Sequence, residues 1–229
     1  MRIALCATLV ACASPAATTT TPAMRPPEPV VRAPDPSPPA FRLPGDVVPV
    51  RYRLDQTIVP TAKSASGAIH IDARVVRPTA VVWLNATDLQ ISHAELAGKS
   101  ARVIPGGEDF VGLVADGELP VGATTIDVAY SAGIDPERSR GIYAQKEGET
   151  GETYAYTFFE ATDARRAFPC FDEPAYKVPW TLVFHVHKDH VALANAPVVK
   201  ETDEPNGMKK VEIAESKPLP SYLVAFVVG

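Results

Sequence analysis

The sequence predicts an all-β protein, an antiparallel two-sheet sandwich, and three observations carry that expectation. Apolar and polar residues alternate with period two in run after run, the mark of strands with one dry and one wet face. Turn-forming clusters separate the runs, at Pro105-Gly106-Gly107, Asp116-Gly117, Pro120-Val121-Gly122, Glu147-Gly148 and Pro205-Asn206-Gly207. No amphipathic helical pattern of ten or more residues interrupts them. Composition agrees. Of 229 residues 46% are hydrophobic and 21% charged, an ordinary globular balance. The net charge of −5 argues against a nucleic-acid partner, which calls for a concentrated basic patch. No run of 18 apolar residues is present, so no transmembrane helix is expected. Three cysteines are too few for a disulfide scaffold.

The first forty residues read as targeting and tether. Met1-Arg2 and the apolar run from Ile3 to Ala11 suit a short secretory signal. The run ends Leu9-Val10-Ala11-Cys12, which resembles the lipobox of bacterial lipoproteins, with Cys12 as the lipidated residue; a plain secretory signal is the alternative. Acyl chains bury CH₂ groups at about 0.8 kcal/mol each, so several on one cysteine anchor a protein firmly. Residues 1–12 are therefore expected to be signal and lipobox. The product would be exported, either as a membrane-anchored lipoprotein of a bacterial envelope or as a periplasmic or secreted protein. Residues 13–43 are expected to form a disordered tether, because residues 13–40 hold nine prolines, a Thr18–Thr21 run and no aromatic ring. Such a segment spans roughly 30 Å as a coil and about 90 Å as extended polyproline.

Residues 44–229 form the folded body. Val50, Tyr52 and Leu54 are expected on one strand face, opposite Arg51, Arg53 and Asp55. Ile69, Ile71 and Ala73 alternate with His70, Asp72 and Arg74. Ile126, Val128 and Tyr130 alternate with Thr125, Asp127 and Ala129. Trp180, Leu182, Phe184 and Val186 alternate with Thr181, Val183, His185 and His187. The best helical piece is the short stretch 162–167, stopped by Pro169.

Residues 157–174 read Thr-Phe-Phe-Glu-Ala-Thr-Asp-Ala-Arg-Arg-Ala-Phe-Pro-Cys-Phe-Asp-Glu-Pro. This segment resembles the hallmark of the N-terminal domain of the aminopeptidase N family of zinc metallopeptidases. Six further stretches resemble family motifs in the same order: residues 48–54, Ser66-Gly67, residues 83–89, Gly141-Ile142-Tyr143, residues 192–197 and residues 220–226. The resemblance implies a saddle-shaped antiparallel β domain that packs on a thermolysin-like catalytic domain and lends it substrate-binding residues. It places Glu160 where the family holds the free amino terminus of a peptide. The chemistry is apt, since an α-amino group with a pKa near 8 is mostly ammonium at neutral pH and calls for a carboxylate. The family's usual Gln falls on Phe158, which has no hydrogen-bonding side chain and offers an apolar wall instead. The expected site residues are thus Glu160 and Phe158 for substrate and Cys12 for lipid, with no catalytic and no metal-binding residue.

Other chemistry-bearing residues read as structural. Asp163, Arg165, Arg166, Asp172 and Glu173 suit Arg–carboxylate pairs that pin a turn, and Cys170 suits a small buried residue. His185, His187 and His190 lack a spacing that completes three zinc ligands. Neither H-E-x-x-H nor G-x-M-E-N occurs, so the chain alone is expected to be inactive and to hold no cofactor, with zinc expected in the complete enzyme. The chain stops within an apolar stretch, Val227-Val228-Gly229, and reads as a piece of such an enzyme. Two alternatives stand beside that reading: a stand-alone lipid-anchored peptide-binding module, and a subunit that docks on a separate catalytic chain.

Overall fold

The computed structural model describes residues 34–229. The signal and lipobox expected at 1–12, Cys12 with them, and the tether up to residue 33 lie outside the described residues. The compact unit runs from Asp35 to Gly229 and is nearly all β.

Its strands, in chain order, are β1 (Val47–Thr57), β2 (Ser64–Val75), β3 (Thr79–Asn85), β4 (Gln90–Leu96), β5 (Lys99–Ser100), β6 (Arg102–Pro105), β7 (Phe110–Leu119), β8 (Gly122–Asp135), β9 (Gly141–Lys146), β10 (Thr153–Phe158), β11 (Trp180–His187), β12 (Ala192–Ala194), β13 (Val198–Asp203), β14 (Met208–Ile213) and β15 (Phe226–Val228). Twelve of them form one sheet, along the path β12-β15-β10-β9-β8-β2-β1-β11-β14-β13, with β4 and β5 branching from β8; β3, β7 and β6 form a second sheet of three. A twisted sheet of that many strands curls. The long strand β8 pairs with β2 and β4 along its body and with β9 only at its end, through Ile134 and Asp135.

Most pairings are antiparallel, as the alternation predicted. Two are parallel, β1 with β11 and β8 with β9, and periodicity within one strand carries no information on either. The inward faces follow the predicted pattern. Ile69, Ile71, Ala73, Ile126, Val128, Tyr130, Trp180, Leu182, Phe184 and Val186 are all buried in one core. Tyr52 and Trp180 stack face to face with centroids 3.9 Å apart, and Phe168 packs on Trp180 at 5.3 Å.

Val183, expected on the wet face of β11, is 2% exposed, and two further expectations fail at irregular strand positions. Val50 does not share the inward face of Tyr52 and Leu54 but is 51% exposed. A bulge between Pro49 and Arg51 inserts it as an extra residue opposite Ala73 and Asp72, and the extra residue shifts the alternation; Pro49 has no N–H for the ladder. Asp116-Gly117 is not a turn. It stays within β7, where Gly117 takes the left-handed φ of 97°. The other predicted turns are where expected. Pro205-Asn206-Gly207 joins β13 to β14, with Asn206 and Gly207 both left-handed, and Glu147-Gly148 joins β9 to β10.

Candidate functional site

The segment between β10 and β11 carries the candidate site, and each of its residues has one clear task. Phe158 is the last residue of β10, opposite Gly141 of β9. Phe159 turns inward, is buried, and packs edge-on against Phe168 at 5.4 Å and Phe226 at 6.1 Å. The chain then turns outward. Glu160, Ala161 and Thr162 are exposed, and the turn closes where the Asp163 N–H donates to the Phe159 carbonyl at 2.9 Å. A single 3₁₀ turn, Ala164–Arg166, follows. Ala164, Ala167, Phe168 and Cys170 then drop into the core with no exposure at all.

Glu160 thus projects from a turn whose two ends are anchored. On one side is the buried ring of Phe159. On the other, the Arg166 guanidinium donates from Nε to Asp163 Oδ1 at 2.9 Å and from Nη1 to Asp88 Oδ2 at 2.6 Å. Glu160 itself makes no hydrogen bond or ion pair among the described residues, so its carboxylate is available. Gly141 explains part of the local sequence. It sits at a φ of +60°, and a Cβ there would come within 3.1 Å of Arg166 Cβ; both conditions favour glycine.

Beneath the turn lies a polar lock assembled from five parts of the chain. Arg165 Nε donates to Asp172 Oδ2 at 3.0 Å, with only 12% and 1% of the two side chains exposed. The other Asp172 oxygen accepts the Ser221 hydroxyl. The Asp172 N–H donates to Asn85 Oδ1 at 2.9 Å, and the Phe171 N–H donates to the Tyr52 hydroxyl at 2.9 Å. Asn85 and Cys170 exchange both backbone hydrogen bonds, at 2.8 and 3.0 Å. Glu173 accepts the Leu43 N–H at 2.8 Å. Burial pushes the Cys170 thiol well above its usual range, and the neighbouring Asp172 carboxylate adds to the effect; a thiol held protonated is a poor nucleophile. Burial likewise raises the Tyr52 hydroxyl, which keeps it neutral. The charged residues of this segment therefore hold a scaffold.

Phe158 is half exposed and shares the outer face of β10 with Tyr154 and Tyr156. Tyr156 stacks on Tyr143 of β9 at 5.6 Å. Across β15 and β12 the same face continues through Val227 and Leu193, which stand in register with Tyr156. Tyr143, Tyr156, Leu193 and Val227 line a shallow cleft of about 320 Å³, and Leu193 and Leu223 are 55% and 43% exposed. This aromatic and aliphatic sheet face is open to solvent in the described domain.

The histidines go elsewhere. His185 lies between Asp55 and Glu204, while His187 and His190 meet ring to ring at 5.4 Å. Among the described residues no group of three or more His, Cys, Asp or Glu side chains could hold a metal ion. Sequence reasoning missed Asn85, Ser221 and Tyr52 as parts of the lock. All three fall within stretches singled out above, but their convergence on Asp172 and Phe171 comes only from the fold. Asn85 also opens an N-x-T sequon, yet it is 2% exposed with its side chain engaged, so the folded domain offers no access for a glycan.

Residues 48–223 match the Peptidase M1 N-terminal domain family. Aminopeptidase M1-D of Oryza sativa subsp. japonica is 37% identical over 195 residues, covering 82% of this chain and 22% of the relative. Aminopeptidase M1 of Arabidopsis thaliana is 35% identical over 200 residues, with the same two coverages. Endoplasmic reticulum aminopeptidase 1 of Homo sapiens is 33% identical over 202 residues, covering 82% of this chain and 21% of the relative. The chain spans about a fifth of the length of these relatives. No helix among the described residues is long and apolar enough to cross a membrane.

Proposed function

This chain belongs to the peptidase M1 family, whose N-terminal domain it carries, and from that premise we propose that it is the substrate-recognition and scaffold domain of a zinc-dependent aminopeptidase. In this reading Glu160 receives the ammonium group of a peptide's first residue, and Phe158 forms an apolar wall beside that residue's side chain. The observation that carries the reading is the exposed, unpaired carboxylate of Glu160 on a turn fixed at both ends. A carboxylate that spends nothing on internal pairing, on a support that does not yield, is the arrangement that charge recognition requires.

A zinc ion, expected in the complete enzyme, has no fitting ligand set among the described residues. No hydrolytic step is therefore assigned to this chain. Its own residues bind and orient: Glu160 fixes the distance from the amino terminus, and the Asp172 lock keeps the turn from drifting. The partner is a thermolysin-like catalytic domain in the same protein, and the face of Tyr143, Tyr156, Leu193 and Val227 is where it packs. Cys12 is the lipid anchor in this reading, on the strength of the residues before it.

The native size of the protein in its source cells tests the reading. An antibody raised against residues 44–229 is expected to detect a band several times heavier than 24.5 kDa. A band at or just below that mass would contradict it, and would favour a stand-alone peptide-binding module or a separate docking subunit.

A further inference from the structure

His70, His93 and His185, on the outer face of the large sheet, are each bonded to carboxylate. His70 on β2 has Nδ1 at 2.6 Å from Asp127 on β8 and Nε2 at 3.3 Å from Asp72 on its own strand. His185 on β11 has Nδ1 at 2.7 Å from Glu204 at the β13–β14 corner and Nε2 at 3.0 Å from Asp55 on β1. In both residues the two ring nitrogens face carboxylate oxygens. A neutral imidazole has one N–H and one lone pair, so it satisfies one carboxylate and turns its lone pair on the other. Only the imidazolium donates to both.

We infer that this sheet face carries a proton-operated clamp, in which imidazolium at His70 ties β2 to β8 by donating to Asp127 and Asp72 together, so that the domain tightens as pH falls toward 6. Burial alone lowers the His70 pKa, but the hydrogen bond and charge of Asp127, with Asp72 behind them, outweigh burial and hold it above 6.5. Arg53 of β1 lies opposite His70, Arg74 lies beyond Asp72 on β2, and Glu95 with His93 stands on β4 beyond Asp127. Lys210 of β14 lies opposite His185 but is occupied by Glu212 at 2.8 Å, and His187 follows on β11. The carboxylates bound directly to the two rings number four, against the two cations Arg53 and Lys210 in the facing positions.

A histidine held above its unfolded value contributes stability that is complete below about 6.5 and is lost as pH rises through the folded value. The 229-residue chain is therefore expected to melt about 1–2 °C higher at pH 6 than at pH 8, relative to the His70→Asn variant. Parallel melting profiles for the two proteins would overturn the clamp. The wild-type protein gives a second reading that needs no variant. Ring ¹⁵N resonances of His70 at pH 6 are expected to show both nitrogens protonated; a single neutral tautomer would overturn it.

Discussion

At the scale of single residues, Asp172 does more for the candidate site than Glu160 does for itself. One Asp172 oxygen takes the Arg165 guanidinium and the other takes the Ser221 hydroxyl, while its N–H is fixed by Asn85. Breaking a buried ion pair from one side strands the remaining charge, which costs about 3–5 kcal/mol. Asp172→Ala is expected to lower the unfolding free energy by about that amount in urea titrations; a loss below about 1 kcal/mol would mean that Asp109, already 3.4 Å from Arg165 Nη1, is enough to hold the guanidinium. Glu147 shows the opposite case, a partly exposed loop carboxylate with a local task. It accepts the N–H groups of Thr150 and Glu149 and the Thr150 hydroxyl, and these bonds hold it down at about 2. A depressed carboxylate keeps its contribution above its ordinary range near 4.5 and loses it as pH falls through the folded value. The Thr150 amide resonance is expected to stay put from pH 7 to pH 4 and to move only near pH 2; a shift centred near 4.5 would show that the loop is not held.

At the scale of elements, the strand faces were legible because half-buried strands have a strict period of two. Ile69, Ile71 and Ala73, or Trp180 through Val186, could hardly be arranged otherwise. Val50 and Asp116-Gly117 were not legible, since a bulge is set by the partner strand's register, which no single run encodes. The parallel pairing of β1 with β11 joins residues more than a hundred positions apart and left no local mark. The site divides in the same way. The turn holding Glu160 sits in one contiguous segment and was visible, whereas Asn85, Ser221 and Tyr52 reach it only through the fold. Gly67 illustrates an element-level constraint. It lies between Gln56 of β1 and Tyr130 of β8, and a Cβ there would fall 2.7 Å from the Tyr130 hydroxyl and 2.8 Å from its ring carbon. Gly67→Ala is expected to cost about 1–3 kcal/mol through overpacking, read as a lowered urea midpoint. An unchanged midpoint would mean that the Tyr130 ring moves aside freely.

At the scale of the whole molecule, the domain divides its labour between two faces. The outer face of β9, β10, β15 and β12 is aromatic, aliphatic and open. The outer face of β2, β8, β1 and β11 is charged and internally paired. The first is the face proposed above for packing, and the second suits solvent. The candidate carboxylate stands at the end of β10, beside the open face rather than within the charged one. The central claim is that Glu160 reads a free amino terminus, and amide NMR of the chain titrated with a short peptide tests it most directly. Trialanine amide with a free amino group is expected to shift resonances of residues 158–163, its N-acetylated form is expected to leave them still, and Glu160→Gln is expected to remove the difference. Equal responses to the two peptides, or a difference that survives Glu160→Gln, would contradict the account.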